Sequence, residues 1–369
     1  MKVGIITMHK VINYGSILQA YALQEKLRQL GYDNEIIDYQ FPPKVKVGKV
    51  TYLLRLLYSV VVNLLSFGAL ATKRSRFEKF HQTMLRTSKF NYNYESIHSN
   101  PPRYDLYITG SDQVWNPSFA GSDTSFLLSF VPKNSKCISY ASSFAINEIP
   151  ADFKELYAKE LLKYQSISVR EQSGIRIVKE LINRDAKVVC DPTLLLKRED
   201  WDKLANQSKI KVDEPYILVY VLTYMYNPYP EIENLINKVQ KELGNIKVII
   251  LEGRKQDVFR KNSRVIKDAG PNEFVYLFKK ASFVITTSFH GTAFSLIYGK
   301  PVYGVVKDVR SNDGRIISTL KKVDMSSSII DYKDVDVVSK EQVSSLCCKE
   351  QDLQTFRDYS IGVLHEMLL

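Results

Sequence analysis

Short apolar runs alternate along the chain with longer segments whose apolar positions repeat at helical spacing, and Gly, Pro and Asp punctuate the joins. Lys2–Ile6 reads as a strand, and Ser16 to Leu30 as a helix. Ser16 serves as its N-cap, with Gln19 completing a capping box. Gly31 stops that helix, and Glu35–Tyr39 is the next strand. The alternation continues through a helical Phe77–Leu85 and strands at Tyr104–Thr109 and Cys137–Ala141. Helix Asp152–Tyr164, strand Ser166–Val169, helix Gln172–Asn183 and strand Lys187–Cys190 follow. Such repetition predicts parallel α/β architecture.

Between Lys197 and Glu214 the chain turns polar, so the spacing predicts two domains, 1–205 and 206–369. The second block repeats the pattern: strand Tyr216–Leu222, helix Glu231–Leu243, strand Ile246–Leu251, and helix Glu273–Lys280 capped by Asn272. A final helix, Glu350–Leu369, is expected to cross back onto the first domain.

A 369-residue chain, 45% apolar and 25% charged, has the composition of a folded two-domain protein. Its net charge of +11 suits anionic partners. No run of basic residues or nucleic-acid motif appears, so nucleic acid is not an expected partner. Four cysteines, at 137, 190, 347 and 348, fit neither a zinc site nor a disulfide framework. The N-terminus already reads as a strand, so no signal peptide is expected and a cytoplasmic location is. A basic-apolar helical insertion spans about 44–90. Within it Thr51–Ala71 is flanked by Lys44, Lys46 and Lys49 and by Lys73, Arg74 and Arg76. Two readings stand for it: a helix lying on the inner face of the cytoplasmic membrane, or one packed on its own domain. Association with a second copy of the chain is also left open.

Candidate chemistry gathers at strand ends. In Ser282–Val302 an apolar strand, a polar turn and a short helix place His290 ahead of a helix N-terminus, beside Ser288, Gly291 and Thr292. Ligands bind at such points in open α/β sheets, helix amides favour anions, and His suits proton transfer near neutral pH. Asn13, Gly15 and Ser16 open the first helix. Gly110, Ser111, Asp112, Gln113 and Trp115 follow another strand. There Asp112 is a candidate base or helix cap, and Trp115 a sugar platform or a filler between layers. Arg170 and Glu171 end a further strand, where Arg170 either grips an anion or pairs locally with Glu171. Asp191 precedes Pro192 and reads as a turn residue. No GxGxxG, Walker, GxSxG or HExxH motif accompanies them, and these residues call for no metal.

Taken in order, Asn13-Tyr14-Gly15-Ser16, Gly110 to Trp115, Ser168 to Glu171, Cys190 to Thr193, and Ser288 to Gly291 with Gly299-Lys300-Pro301 resemble the polysaccharide pyruvyl transferase family. The resemblance implies a GT-B-like fold, two Rossmann-like domains around a cleft. It also implies transfer of a pyruvyl group from phosphoenolpyruvate to a sugar of a surface polysaccharide or its lipid-linked precursor, with no further cofactor. On that reading His290 protonates or orients the enol phosphate, Arg170 grips its carboxylate or phosphate, and Asp112 serves the acceptor hydroxyl. Asn13, Gly15, Ser16, Gly110, Ser111, Gln113, Trp115, Glu171, Ser288, Gly291 and Thr292 line the substrate. Many family members carry Arg where this chain has Ser288; Lys300, Lys307 or Arg310 are the nearby cations that would compensate. The alternatives are a glycosyltransferase with a nucleotide-sugar donor and a non-catalytic glycan-binding protein.

Overall fold

The computed structural model describes residues 1–41, 68–121, 123–224, 226–254, 257, 260–309, 314–333, 343 and 345–369. Most of the apolar segment Thr51–Ala71, and Arg310, lie outside the described residues.

Two six-stranded parallel sheets organise the chain. The first contains β1 (Lys2–Ile6), β2 (Asp33–Ile36), β3 (Leu106–Thr109), β4 (Lys136–Ser142), β5 (Ser166–Val169) and β6 (Lys187–Val188), in the order β2-β1-β3-β4-β5-β6. The second contains β7 (Tyr216–Tyr220), β8 (Lys247–Leu251), β9 (Ser263–Ile266), β10 (Phe283–Thr286), β11 (Val302–Val306) and β12 (Ile329–Asp331), in the order β12-β11-β10-β7-β8-β9. The central strands are buried on both faces, which explains their unbroken apolar runs.

The helices of eight or more residues are α1 (Tyr14–Gln29), α2 (Ala69–Met84), α3 (Ala151–Leu161), α4 (Gln172–Ile182), α5 (Arg198–Ala205), α6 (Glu231–Glu242), α7 (Pro271–Lys280), α8 (Phe289–Ile297), α9 (Arg315–Lys322) and α10 (Glu350–Leu368). The last one crosses back to the first domain. Ser360 Oγ accepts from Cys190 N at 2.9 Å, Arg357 Nε donates to Leu194 O at 2.7 Å, and Lys187 pairs with Glu366.

Several elements depart from the sequence reading. Asn13, not Ser16, caps α1, which frees the Ser16 hydroxyl for another partner. Gln19 is drawn away from any capping box, donating to Thr7 Oγ1 and Ser16 O and accepting from Ser111 N. At α7 the cap is Gly270 rather than Asn272, and the Glu273 carboxylate accepts from the Gly270 amide. The polar Lys197–Glu214 stretch contains α5, whose Trp201 is fully buried against Tyr21 of the first domain and Phe294 of the second. One apolar face sufficed to fold a segment of polar average.

The domains meet through a continuous apolar core rather than a wet seam. Tyr14, at the start of α1, stacks on Phe274 of α7 with centroids 4.6 Å apart, and its hydroxyl donates to Ala269 O at 2.9 Å. Phe77 and Tyr220 complete the cluster. Each aromatic pair contributes about 0.5–1.5 kcal/mol beyond its buried area, enough together to hold the cleft walls in register.

Candidate active site

Strand order reverses between β1 and β3 in the first sheet and between β10 and β7 in the second. Loops leaving two such neighbours diverge to opposite faces and open a crevice. Here residues from both switch points line one cleft of about 610 Å³. Asn13, Ser16, Asp112 and Gln113 form its first-domain wall; Ser288, Phe289, His290 and Arg315 form the second. At the second switch point the strand ends are tied together, with Thr287 Oγ1 accepting from Leu222 N at 2.7 Å.

Asn13 Oδ1 accepts from the amides of Gly15 and Ser16 at 2.9 and 3.2 Å. Ser16 Oγ donates to Asp112 Oδ2 in a short hydrogen bond. Gly15 is where the opposite domain touches down: a Cβ there would stand 1.9 Å from His290 Nδ1. Glycine at this position lets the imidazole lie against the first turn of α1. Gly15→Ala is therefore expected to displace the ring and cut turnover by about 100-fold, as misplacements near 1 Å do. Steady-state kinetics checks this; an unchanged rate would show that the Gly15 contact does not position His290.

Behind His290 lies a buried charge network. Its Nε2, which has no hydrogen-bond partner among the described residues, is 3.8 Å from Asp191 Oδ2. Asp191 accepts from Thr193 N at 2.9 Å, Thr193 Oγ1 at 2.8 Å and Arg170 Nη1 at 2.7 Å. Ser111 Oγ lies 3.0 Å from Asp191 Oδ2 and 2.8 Å from Ala141 O, so its one proton serves one of them at a time. Arg170 Nη2 is 3.6 Å from Asp112 Oδ1, and the guanidinium sits 4.7 Å from the Phe289 centroid. Burial alone would raise both carboxyls. Instead His290, Arg170 and the Thr193 amide hold Asp191 far below the carboxylate range, and Arg170, His290, Ser16 and Arg315 hold Asp112 below it.

The geometry gives Arg170 a different position from the one the resemblance implies. It is buried behind the wall, bridging two carboxylates, and does not line the cleft. Among the described residues the cleft-lining guanidinium is Arg315, at the first position of α9. Burial and the nearby Arg170 charge lower its pKa, while Glu171 and Asp112 act in the opposite direction. The Gln113 amide lies 3.0 and 2.9 Å from Arg315 Nη1 and Nη2, a paired hydrogen bond when the amide oxygen faces them. Gly314 caps α9 without a side-chain bond of its own, which places a helix N-terminus beside this guanidinium. Of the cations expected to compensate for Ser288, Lys307 lines the cleft, whereas Lys300 stands near Arg198, Lys280 and Cys347.

Ser288 caps α8, accepting from Gly291 N at 3.3 Å. Gly291, Thr292 and Gly110 set the backbone. A Cβ on Gly291 would meet Thr286 Oγ1 at 2.3 Å, one on Gly110 would meet Tyr140 O at 2.2 Å, and Thr292 Oγ1 donates to Ser288 O. Trp115 is not a sugar platform: its indole is fully buried, donating to Phe126 O at 3.1 Å and packing on Phe144 and Tyr164. Glu171 does not pair with Arg170 at a helix start. Its Oε1 accepts from Ser143 Oγ, Phe144 N and Ala145 N and so braces the loop after β4. Sequence reasoning missed Arg315 and took Asp191 for a turn residue; only the strand-end position of Asp191 gave a signal.

Two Rossmann-like domains with facing switch points define a GT-B-like fold, and solved structures of the same fold agree. A UDP-GlcNAc 2-epimerase from Rickettsia bellii superposes with a TM-score of 0.55 at 9% identity, covering 100% of this chain and 95% of that one. The Methanocaldococcus jannaschii UDP-GlcNAc 2-epimerase in complex with UDP-GlcNAc and UDP gives 0.52 at 13%, covering 94% and 91%. The Neisseria meningitidis UDP-GlcNAc 2-epimerase bound to UDP-GlcNAc gives 0.50 at 12%, covering 99% and 100%. At these identities the likeness is one of fold. No curated protein matches the sequence. The family profile described as polysaccharide pyruvyl transferase matches residues 13–308, and the chain belongs to that family of transferases.

Proposed function

We propose that the protein transfers the pyruvyl group of phosphoenolpyruvate to two hydroxyls of one sugar, forming a cyclic ketal and releasing phosphate. The observation that carries this reading is Arg315, a guanidinium that lines the cleft at the N-terminus of α9, in the same cleft as Asp112. Phosphoenolpyruvate brings the phosphate and carboxylate that such a wall attracts.

A proton adds to the methylene carbon, C3, and makes C2 electrophilic. One sugar hydroxyl bonds to C2 and gives up its proton. The C2–O bond to phosphate then breaks, the second hydroxyl bonds to C2, and its proton leaves with phosphate. His290 is placed to deliver the first proton, with its Nε2 3.8 Å from Asp191 Oδ2. Asp112 is ionised and accepts from Ser16, and it can accept equally from an acceptor hydroxyl. Its depressed pKa makes it a weak base, so its share is orientation until attack on C2 acidifies that hydroxyl. Acceptor identity as a surface polysaccharide or lipid-linked precursor follows from family membership alone.

Thermal unfolding with phosphoenolpyruvate tests the reading. A ligand at about 100 times its dissociation constant adds roughly 2.7 kcal/mol to the folded state. Arg315→Ala should abolish that shift while leaving the ligand-free midpoint within a few degrees, since burial already lowers the pKa of that guanidinium. A shift with nucleoside diphosphates or nucleotide sugars and none with phosphoenolpyruvate would overturn the proposal in favour of glycosyl transfer.

A further inference from the structure

Outside the cleft, three donors converge that the reaction does not use. His9 follows β1, Asp38 follows β2 and His81 lies on α2. One ligand atom from each lies within 4.8 Å of the others. We propose that His9, Asp38 and His81 form a site for one zinc-class divalent cation, which pins α2 to the first sheet.

Protonation geometry carries the argument. His9 Nδ1 is 3.0 Å from Thr7 O, a carbonyl that only accepts, so the ring proton sits on Nδ1. Nε2 then turns a lone pair toward Asp38 Oδ1 at 3.1 Å. Two lone pairs facing each other need a proton or a metal between them. The partner ring decides which. His81 stacks on His9 with centroids 5.3 Å apart and planes 19° apart, and its Nε2 is buried with no hydrogen-bond partner among the described residues. A proton on Nε2 of His9 leaves that nitrogen of His81 orphaned; a metal satisfies both. Two imidazoles bound to one zinc at about 2.0–2.1 Å in a tetrahedral arrangement hold their centroids roughly 5 Å apart.

The outer contacts fit as well. Thr7 O fixes the His9 tautomer, and Asn91 Nδ2 donates to Asp38 Oδ2 at 2.8 Å, the kind of support that orients metal ligands. Lys10 Nζ, 2.7 Å from Asp38 Oδ1, competes for that oxygen, and the ion displaces it. Imidazole and carboxylate together suit zinc and its neighbours in the first row, with water completing the shell. The consequence is mechanical. Helix α2 buries Phe77 and Phe80 in the shared core, while its Lys73 and Arg76 pair with Glu252 and Asp268 of the second domain. A metal at His81 ties that bridging helix to the strand end whose neighbours Met8 and Val11 line the cleft.

Calorimetric titration of Zn2+ into tag-free, chelator-stripped full-length protein tests the site, with Co2+ absorbance as a second readout. One equivalent should bind and raise the unfolding midpoint. His81→Gln and Asp38→Asn should each weaken binding by roughly 10–100-fold or more, with metal-free midpoints near that of the parent. Absence of stoichiometric binding, or equal affinity in both variants, would overturn the site and leave His9, Asp38 and Lys10 as an ion network.

Discussion

His290→Gln should fold, bind phosphoenolpyruvate, and turn over roughly 10²–10⁴-fold more slowly, the usual contribution of a positioned acid. At 1.36 kcal/mol per decade this is about 3–5 kcal/mol of transition-state stabilisation. The variant should lose only the 3.8 Å contact with Asp191, because His290 Nε2 has no hydrogen-bond partner among the described residues. Glutamine also avoids an empty space against Gly15, the surface that the imidazole occupies. Phosphate release from phosphoenolpyruvate in the presence of acceptor glycan measures the loss. Thermal shift by the donor alone separates binding from chemistry. A kcat within threefold of the parent would remove His290 from proton transfer. A lost thermal shift with unchanged kcat would make it a donor-binding group.

The sequence made the strand–helix rhythm legible because parallel strands buried on both faces are unbroken apolar runs. The turns after β1, β3 and β10 were legible for a related reason: a switch point puts glycines, small hydroxyls and a helix start at one place. What the sequence hid were contacts between distant segments. Nothing near Arg315 distinguishes it from other basic residues, and its role depends on α9 starting at the cleft. Asp191 looked like a turn because Asp-Pro usually is one, and it does cap Thr193. Its second oxygen meets Arg170 and His290 only once β5, β6 and α8 are assembled. Trp115 misled in the other direction. An indole in a polar turn suggests a sugar platform, yet this one fills the core beneath the loop. The His9–Asp38–His81 cluster follows no metal-binding spacing, since its members come from three separate elements.

The largest stability effect is expected at Arg170. Its guanidinium is 1% exposed and lies between Asp191 at 2.7 Å and Asp112 at 3.6 Å. Arg170→Met preserves most of the volume but leaves two buried carboxylates without their cation, a change that costs about 3–5 kcal/mol. The pH dependence identifies the cause. In the parent both carboxyls are held below their ordinary value. Their contribution is therefore complete above the unfolded pKa of about 3.9 and fades as pH falls through the lower folded values. Without Arg170, burial pushes both carboxyls upward. Protonation on acidification then relieves the unpaired charge, so the deficit against the parent should be largest at pH 7 and smaller near pH 5. Urea unfolding at the two pH values measures it. Arg170→Met combined with Asp191→Asn should recover part of the loss at pH 7, because the amide carries no charge to strand. A deficit independent of pH, or none at all, would mean that Arg170 does not balance these carboxylates. Arg170→Lys should fall between, since a single ammonium can reach one carboxylate but cannot span both as the planar fork does.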